Sequence, residues 1–168
     1  MKRLFLLTLT ILLTAAVLFV PVKRALLFEE GKSGKLVAHQ VIEDGEKFQI
    51  KYTHSIHKTP VIETYKASAD LIIQQSIAYR NFGVGMPDNA GEGERFRKVD
   101  GMYVLDQMNR EFPHLDLRTG KVIANHKLIV DGKERPFSSF AEPGSWLRIK
   151  LERISLWDIL KGGNIVDN

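Results

Sequence analysis

The sequence predicts a mainly β protein: a small antiparallel β-sandwich or open barrel preceded by one N-terminal transmembrane helix. Three observations predict it. An uncharged apolar run extends from Leu4 to Val20. Short segments then alternate with period two, as where Phe48, Ile50 and Tyr52 interleave with Lys47, Gln49 and Lys51. Turn pairs such as Asp44-Gly45 and Asp131-Gly132 separate these segments, and no strand–helix–strand alternation suggests a parallel sheet.

The N-terminal element comes first. Leu4 to Val22 would rise about 28 Å as a helix, close to the hydrocarbon thickness of a bilayer. Thr8, Thr10 and Thr14 interrupt the run, but each hydroxyl can bond back to the preceding turn. Lys2 and Arg3 flank one end and Lys23 and Arg24 the other. Residues 1–24 therefore read as a membrane anchor or uncleaved signal, with membrane contact through residues 4–22. A cleaved signal peptide competes, but it wants small residues just past the apolar run, and Leu18-Phe19-Val20-Pro21-Val22-Lys23-Arg24 is bulky and then basic. A buried helix of a soluble protein is the third reading. With basic residues at both ends, the positive-inside bias has little asymmetry to act on. The short tail before the run favours a single-pass chain in the cell membrane with an extracytoplasmic body.

That segment also explains the charge. The chain of 168 residues carries 24 basic and 20 acidic residues, for a net +4 and a pI near 9.3. Four basic residues and no acid lie in residues 1–24, leaving 24 − 4 = 20 basic against 20 acidic in a neutral body. A nucleic-acid binder needs a concentrated basic face, so nucleic acid is not an expected partner. The absence of cysteine removes disulfides, thiolate catalysis and cysteine-ligated metals. No cofactor is implied.

Residues 25–35 read as a connector, because Glu29-Glu30-Gly31-Lys32-Ser33-Gly34 is polar and glycine-rich. Residues 36–168 read as the extracytoplasmic β-domain. Its expected strands are residues 35–43, 47–53, 61–67, 71–79, 102–106, 115–118, 127–130, 135–140 and 146–154. Asp44-Gly45 and Asp131-Gly132 are expected to close hairpins. Residues 82–94 form a long glycine-rich loop, a binding element, a mobile lid or a plain surface loop. Residues 154–160 read as a short amphipathic helical turn that packs on the body.

The densest polar group is Tyr52-Thr53-His54-Ser55-Ile56-His57, followed by Glu63 and Tyr65. On a strand, Val61, Glu63 and Tyr65 share a face, and a carboxylate turned inward needs a partner. His54 is the nearest candidate in sequence. Three chemistries compete with a polar network that merely pins a hairpin. His54, His57 and Glu63 offer donors suited to zinc, although ligands three apart on a strand diverge. Ser55 beside His54 suggests a nucleophile, but adjacent side chains seldom make a productive pair. A ligand site would combine His54, Ser55, Glu63 and Tyr65 with Gly83 and Gly85 for a small polar or carboxylate ligand.

Tyr52-Thr53-His54-Ser55-Ile56, Thr59-Pro60-Val61, Glu63, Phe82-Gly83-Val84-Gly85-Met86-Pro87 and Asp100-Gly101-Met102-Tyr103 together resemble a bacterial family catalogued as domain of unknown function 1850. The resemblance spans residues 35–152. It implies a short, membrane-tethered protein that accompanies tripartite ATP-independent periplasmic (TRAP-type) transporters, with permease or substrate-binding subunits as partners. The expected function is thus a membrane-anchored accessory or binding domain. The alternative is a surface hydrolase or metal-dependent enzyme using His54, Ser55 and Glu63.

Overall fold

The structure is a computed structural model that describes residues 1–160 together with residues 163 and 165. Helix α1 spans Lys2–Phe19, about 27 Å at the usual rise. Thr8, Thr10 and Thr14 donate to carbonyls one turn back at 2.8–3.1 Å, so no hydroxyl is left unbonded on the apolar surface. The helix is apolar and long enough to cross a membrane, and none of it is buried against the body. That exposure overturns the buried-helix reading. Pro21 ends the helix: its ring disfavours helical backbone at Val20, which is extended at φ −72° and ψ 127°.

Residues 25–30 are not a connector but the second half of strand β1, Pro21–Glu30. Leu26 and Phe28 are fully buried on one face, and Ala25 and Leu27 on the other. Burying each large side chain contributes about 1.5–3 kcal/mol, so this segment belongs to the core. The polar end at Glu29 and Glu30 conceals a strand whose residues 25–28 are apolar on both faces.

Strands β2 (Leu36–Val41), β3 (Lys47–Thr53), β4 (Pro60–Ser68), β5 (Leu71–Tyr79), β6 (Arg95–Val99) and β7 (Met102–Asp106) follow. Then come β8 (Arg110–Phe112), β9 (His114–Arg118), β10 (Lys127–Val130), β11 (Lys133–Pro136), β12 (Trp146–Ser155) and helix α2 (Leu156–Leu160). They form two antiparallel sheets, one ordered β2-β1-β12-β9 and the other β11-β10-β3-β4-β5-β7-β6 with β8 paired to β5. The fold is an open sandwich, not a closed barrel. Residues 137–140, expected as strand, instead make a 3-10 turn at Phe137–Ser139.

The main core lies between the sheets, with Leu26, Phe28, Leu147 and Ile149 of one facing Phe48, Ile50, Tyr65, Ile72 and Leu128 of the other. The outer face of β1 is covered by Ile154 and by Ile159 of α2. Trp157 of α2 meets Phe19 at the end of α1, with ring centroids 5.4 Å apart.

Asp131-Gly132 closes the β10–β11 hairpin, with φ of 49° and 73° as a two-residue turn of this hand requires. Asp44-Gly45 does not close one. Strand β2 pairs with β1 whereas β3 pairs with β4 and β10, so the chain crosses between sheets there. Asp44 instead pairs with Arg24 and accepts the Ala69 N–H at 2.8 Å, anchoring the crossover beside the helix end. Strand β3 runs away from that point, so its Thr53 end lies at the pole of the sandwich remote from α1.

Candidate functional site

Strands β3 and β4 set up the site through their register. Ile50 pairs with Glu63, Tyr52 with Val61 and Phe48 with Tyr65. Alternation turns Glu63 inward with Val61 and Tyr65, at the end of the sandwich where the two sheets part. Opposite stands β9, whose Leu115 and Leu117 face the interior. Between them opens a cavity of about 430 Å³ lined by Ile50, Tyr52, Glu63, Tyr65, Phe112 and residues 114–118, with His126 before β10.

Glu63 is the polar centre of this cavity. The Tyr65 hydroxyl donates to its Oε2 at 2.9 Å, and the Tyr52 hydroxyl bonds it as well. Burial raises the Glu63 carboxyl above its ordinary range, while the two tyrosine bonds pull it partly back. Burial and the neighbouring carboxylate push both tyrosine hydroxyls further from ionisation, so they remain donors. His126 stacks on Tyr52 at 5.2 Å, and burial lowers its basicity. Its Nδ1 accepts the Gly120 N–H at 3.3 Å, which leaves the proton of the neutral ring on Nε2.

The rim is charged. Asp116 takes both Arg148 nitrogens at 2.9 Å, and this pair holds the Asp116 carboxyl below its usual range. His114 lies 3.6 Å from the same carboxylate. Arg118, two residues on, makes no ion pair among the described residues.

The expected His54–Glu63 pairing does not form. Glu63 is satisfied by tyrosines, whereas His54 is drawn into the β3–β4 turn. Its Nδ1 accepts the N–H groups of Ile56 and His57 at 3.4 and 3.3 Å, and its backbone bonds Thr59 and Lys58. His54 and His57 stack at 5.1 Å, and Gly83 lies against them. A Cβ on Gly83 would come within 2.9 Å of His57 Nε2 and 3.3 Å of His54 Cε1. Gly85 occupies the third position of a turn closed by Met86 N–H to the Gly83 carbonyl at 3.0 Å, with φ +87°. Ser55 is exposed, and its neighbour's Nδ1 is taken by backbone donors. Among the described residues, no group of three His, Asp or Glu could hold a metal ion.

The six residues singled out in the sequence thus divide. Glu63 and Tyr65 line the cavity, while His54, Gly83 and Gly85 build the adjoining turn and loop, with Ser55 on the surface. The loop 82–94 is tied down. Tyr79 donates to the Pro87 carbonyl, Met86 packs on the second core cluster, and Arg110 clasps Glu94 at 2.9 and 3.1 Å. Tyr52, part of the densest polar group, is not among the candidate ligand residues, and neither are His126 and Arg118. Tyr52 carried a signal, because it continues the inward face of Phe48 and Ile50; the other two reach the cavity through long-range packing.

These features define a class: an open β-sandwich with a half-buried carboxylate in an inter-sheet cavity, its first strand continuous with an apolar N-terminal helix. The chain belongs to the family described as Domain of unknown function (DUF1850), whose model matches residues 48–137. The matched segment runs from β3 to just past β11 and contains every residue that lines the cavity. Comparison with curated proteins and with solved structures gives no match.

Proposed function

We propose that this chain is a membrane-anchored extracytoplasmic binding domain that assists a solute transporter of the TRAP type. In this reading α1 crosses the membrane and the sandwich engages the transporter's permease, its substrate-binding subunit or its ligand. The observation that carries the binding role is the Glu63 cavity, concave, aromatic-walled and furnished with a few convergent polar groups, as small-ligand sites are. Its placement supports the reading: α1 enters β1 at Pro21 with no spacer, so the body is held against the bilayer while the cavity lies at the far pole. A hydrolytic or metal-dependent role would need His54, Ser55 and Glu63 at one point. His54 faces the turn and Glu63 the cavity, so binding is the better-supported role.

Affinity capture of the full chain in mild detergent tests this. Enrichment of TRAP permease or substrate-binding subunits is the expected result. Their absence, with the bait intact and membrane-extracted, contradicts the transporter role.

A further inference from the structure

The chemistry of the cavity narrows its ligand, if the chain is a binding domain as proposed above. We propose that the Glu63 cavity receives a small zwitterion, with its ammonium head against Glu63, Tyr52 and Tyr65 and its carboxylate at Arg118.

The inner end offers acceptors rather than donors. Both tyrosine O–H groups are spent on Glu63, so their oxygens present lone pairs to the cavity beside the carboxylate itself. The rings of Tyr52, Tyr65 and Phe112 also line the walls, with Tyr65 stacked on Phe48 and Tyr52 on His126. An ammonium brings three donors and a positive charge to such a place, whereas a carboxylate would meet Glu63 with repulsion. A divalent metal is disfavoured by the absence of a three-ligand group among the described residues.

The rim shows the opposite polarity. Asp116 is neutralised by the two-bonded Arg148, so it does not compensate its neighbours. Arg118 lines the opening and makes no ion pair among the described residues, and its planar fork suits a carboxylate. Acceptors within and a guanidinium at the mouth, across about 430 Å³, fit a molecule charged positively at one end and negatively at the other.

Burial raises the Glu63 carboxyl above its ordinary range, and an ammonium beside it would favour the ionised form. The titratable groups that line the cavity with Glu63 are Tyr52 on β3, Tyr65 on β4 and His126 before β10, with His114, Asp116 and Arg118 of β9 at its rim. Protonating Glu63 removes the ammonium's charge partner, so binding weakens as pH falls through the Glu63 titration.

Titration calorimetry on the full chain in detergent micelles tests the proposal with γ-aminobutyrate, butylammonium and butyrate. The expected order is γ-aminobutyrate, then butylammonium, then butyrate, with about tenfold or more between the first and last. Arg118→Ala should bring γ-aminobutyrate down to the level of butylammonium, and Glu63→Gln should weaken both by about tenfold. Butyrate binding as tightly as γ-aminobutyrate, or no binding of any probe, overturns the proposal. So does a folded Glu63→Gln chain with unchanged amine affinity. Should Glu63→Gln not fold, the probe order on the unaltered chain and on Arg118→Ala, a surface change, decides the matter. Transporter capture with the wrong probe order defeats the zwitterion and spares the accessory role; the right order without capture does the reverse.

Discussion

The Tyr65 hydroxyl donates to Glu63 Oε2 at 2.9 Å, from two residues along the same strand face. Because Glu63 is largely withdrawn from solvent, its carboxyl holds a proton more tightly when folded than when unfolded. The sign of the resulting pH dependence follows. Stability from this group is fully present below the ordinary value of 4.5 and is lost as pH rises through the raised folded value. Glu63→Gln should flatten that decline. Urea midpoints of both chains, taken between about pH 4 and pH 8, measure it. Parallel profiles would contradict the assignment.

Strand β1 makes a sharper prediction. A chain beginning at Pro21 retains Leu26 and Phe28 and should fold without α1, giving a cooperative unfolding transition. A chain beginning at Lys35 lacks the strand between β2 and β12 and should not fold. Phe28→Ala in the longer chain should cost about 3–5 kcal/mol, read as a lowered urea midpoint. A stable chain beginning at Lys35 would show that residues 25–30 are a connector after all.

Gly83 lies too close to His57 for a side chain. Gly83→Ala should destabilise by about 1–3 kcal/mol through overpacking. The obstructing atoms are the end of a side chain, so His57→Ala should relieve most of that cost. A double-mutant cycle by urea denaturation reads the coupling. Additive effects would place the strain elsewhere.

Tyr79 holds the 82–94 loop through the Pro87 carbonyl. Tyr79→Phe should cost about 1 kcal/mol. It should also quicken proteolytic cleavage within residues 83–93 while leaving the β3–β4 hairpin protected. Unchanged cleavage would mean that Met86 packing and the Arg110–Glu94 pair suffice.

Much of this architecture is legible in the sequence, for local reasons. The alternation in 47–53, 61–67 and 71–79 places three neighbouring strands, and Asp131-Gly132 carries the positive φ its hairpin needs. Asp44-Gly45 looks the same because such a pair reports backbone conformation and not which strands meet. Ala25-Leu26-Leu27-Phe28 is a continuous apolar run buried on both faces, so it lacks the alternation that reveals half-buried strands. The inward aim of Glu63 follows from its strand position. Its partners do not: Tyr65 shares its face and Tyr52 sits diagonally across the pair, whereas His54, nearer along the chain than Tyr52, lies past the end of β3. The contribution of β9 depends on how the two sheets meet, which no local pattern encodes.

The proposed role stands on where the body lies, and the lack of cysteine makes that directly measurable. Val122 is 88% exposed in the loop between β9 and β10, far from α1. A chain carrying Val122→Cys should react with a membrane-impermeant maleimide on intact cells as fully as it does after lysis. Labelling that appears only after the membrane is opened would put the sandwich on the cytoplasmic side and contradict the account.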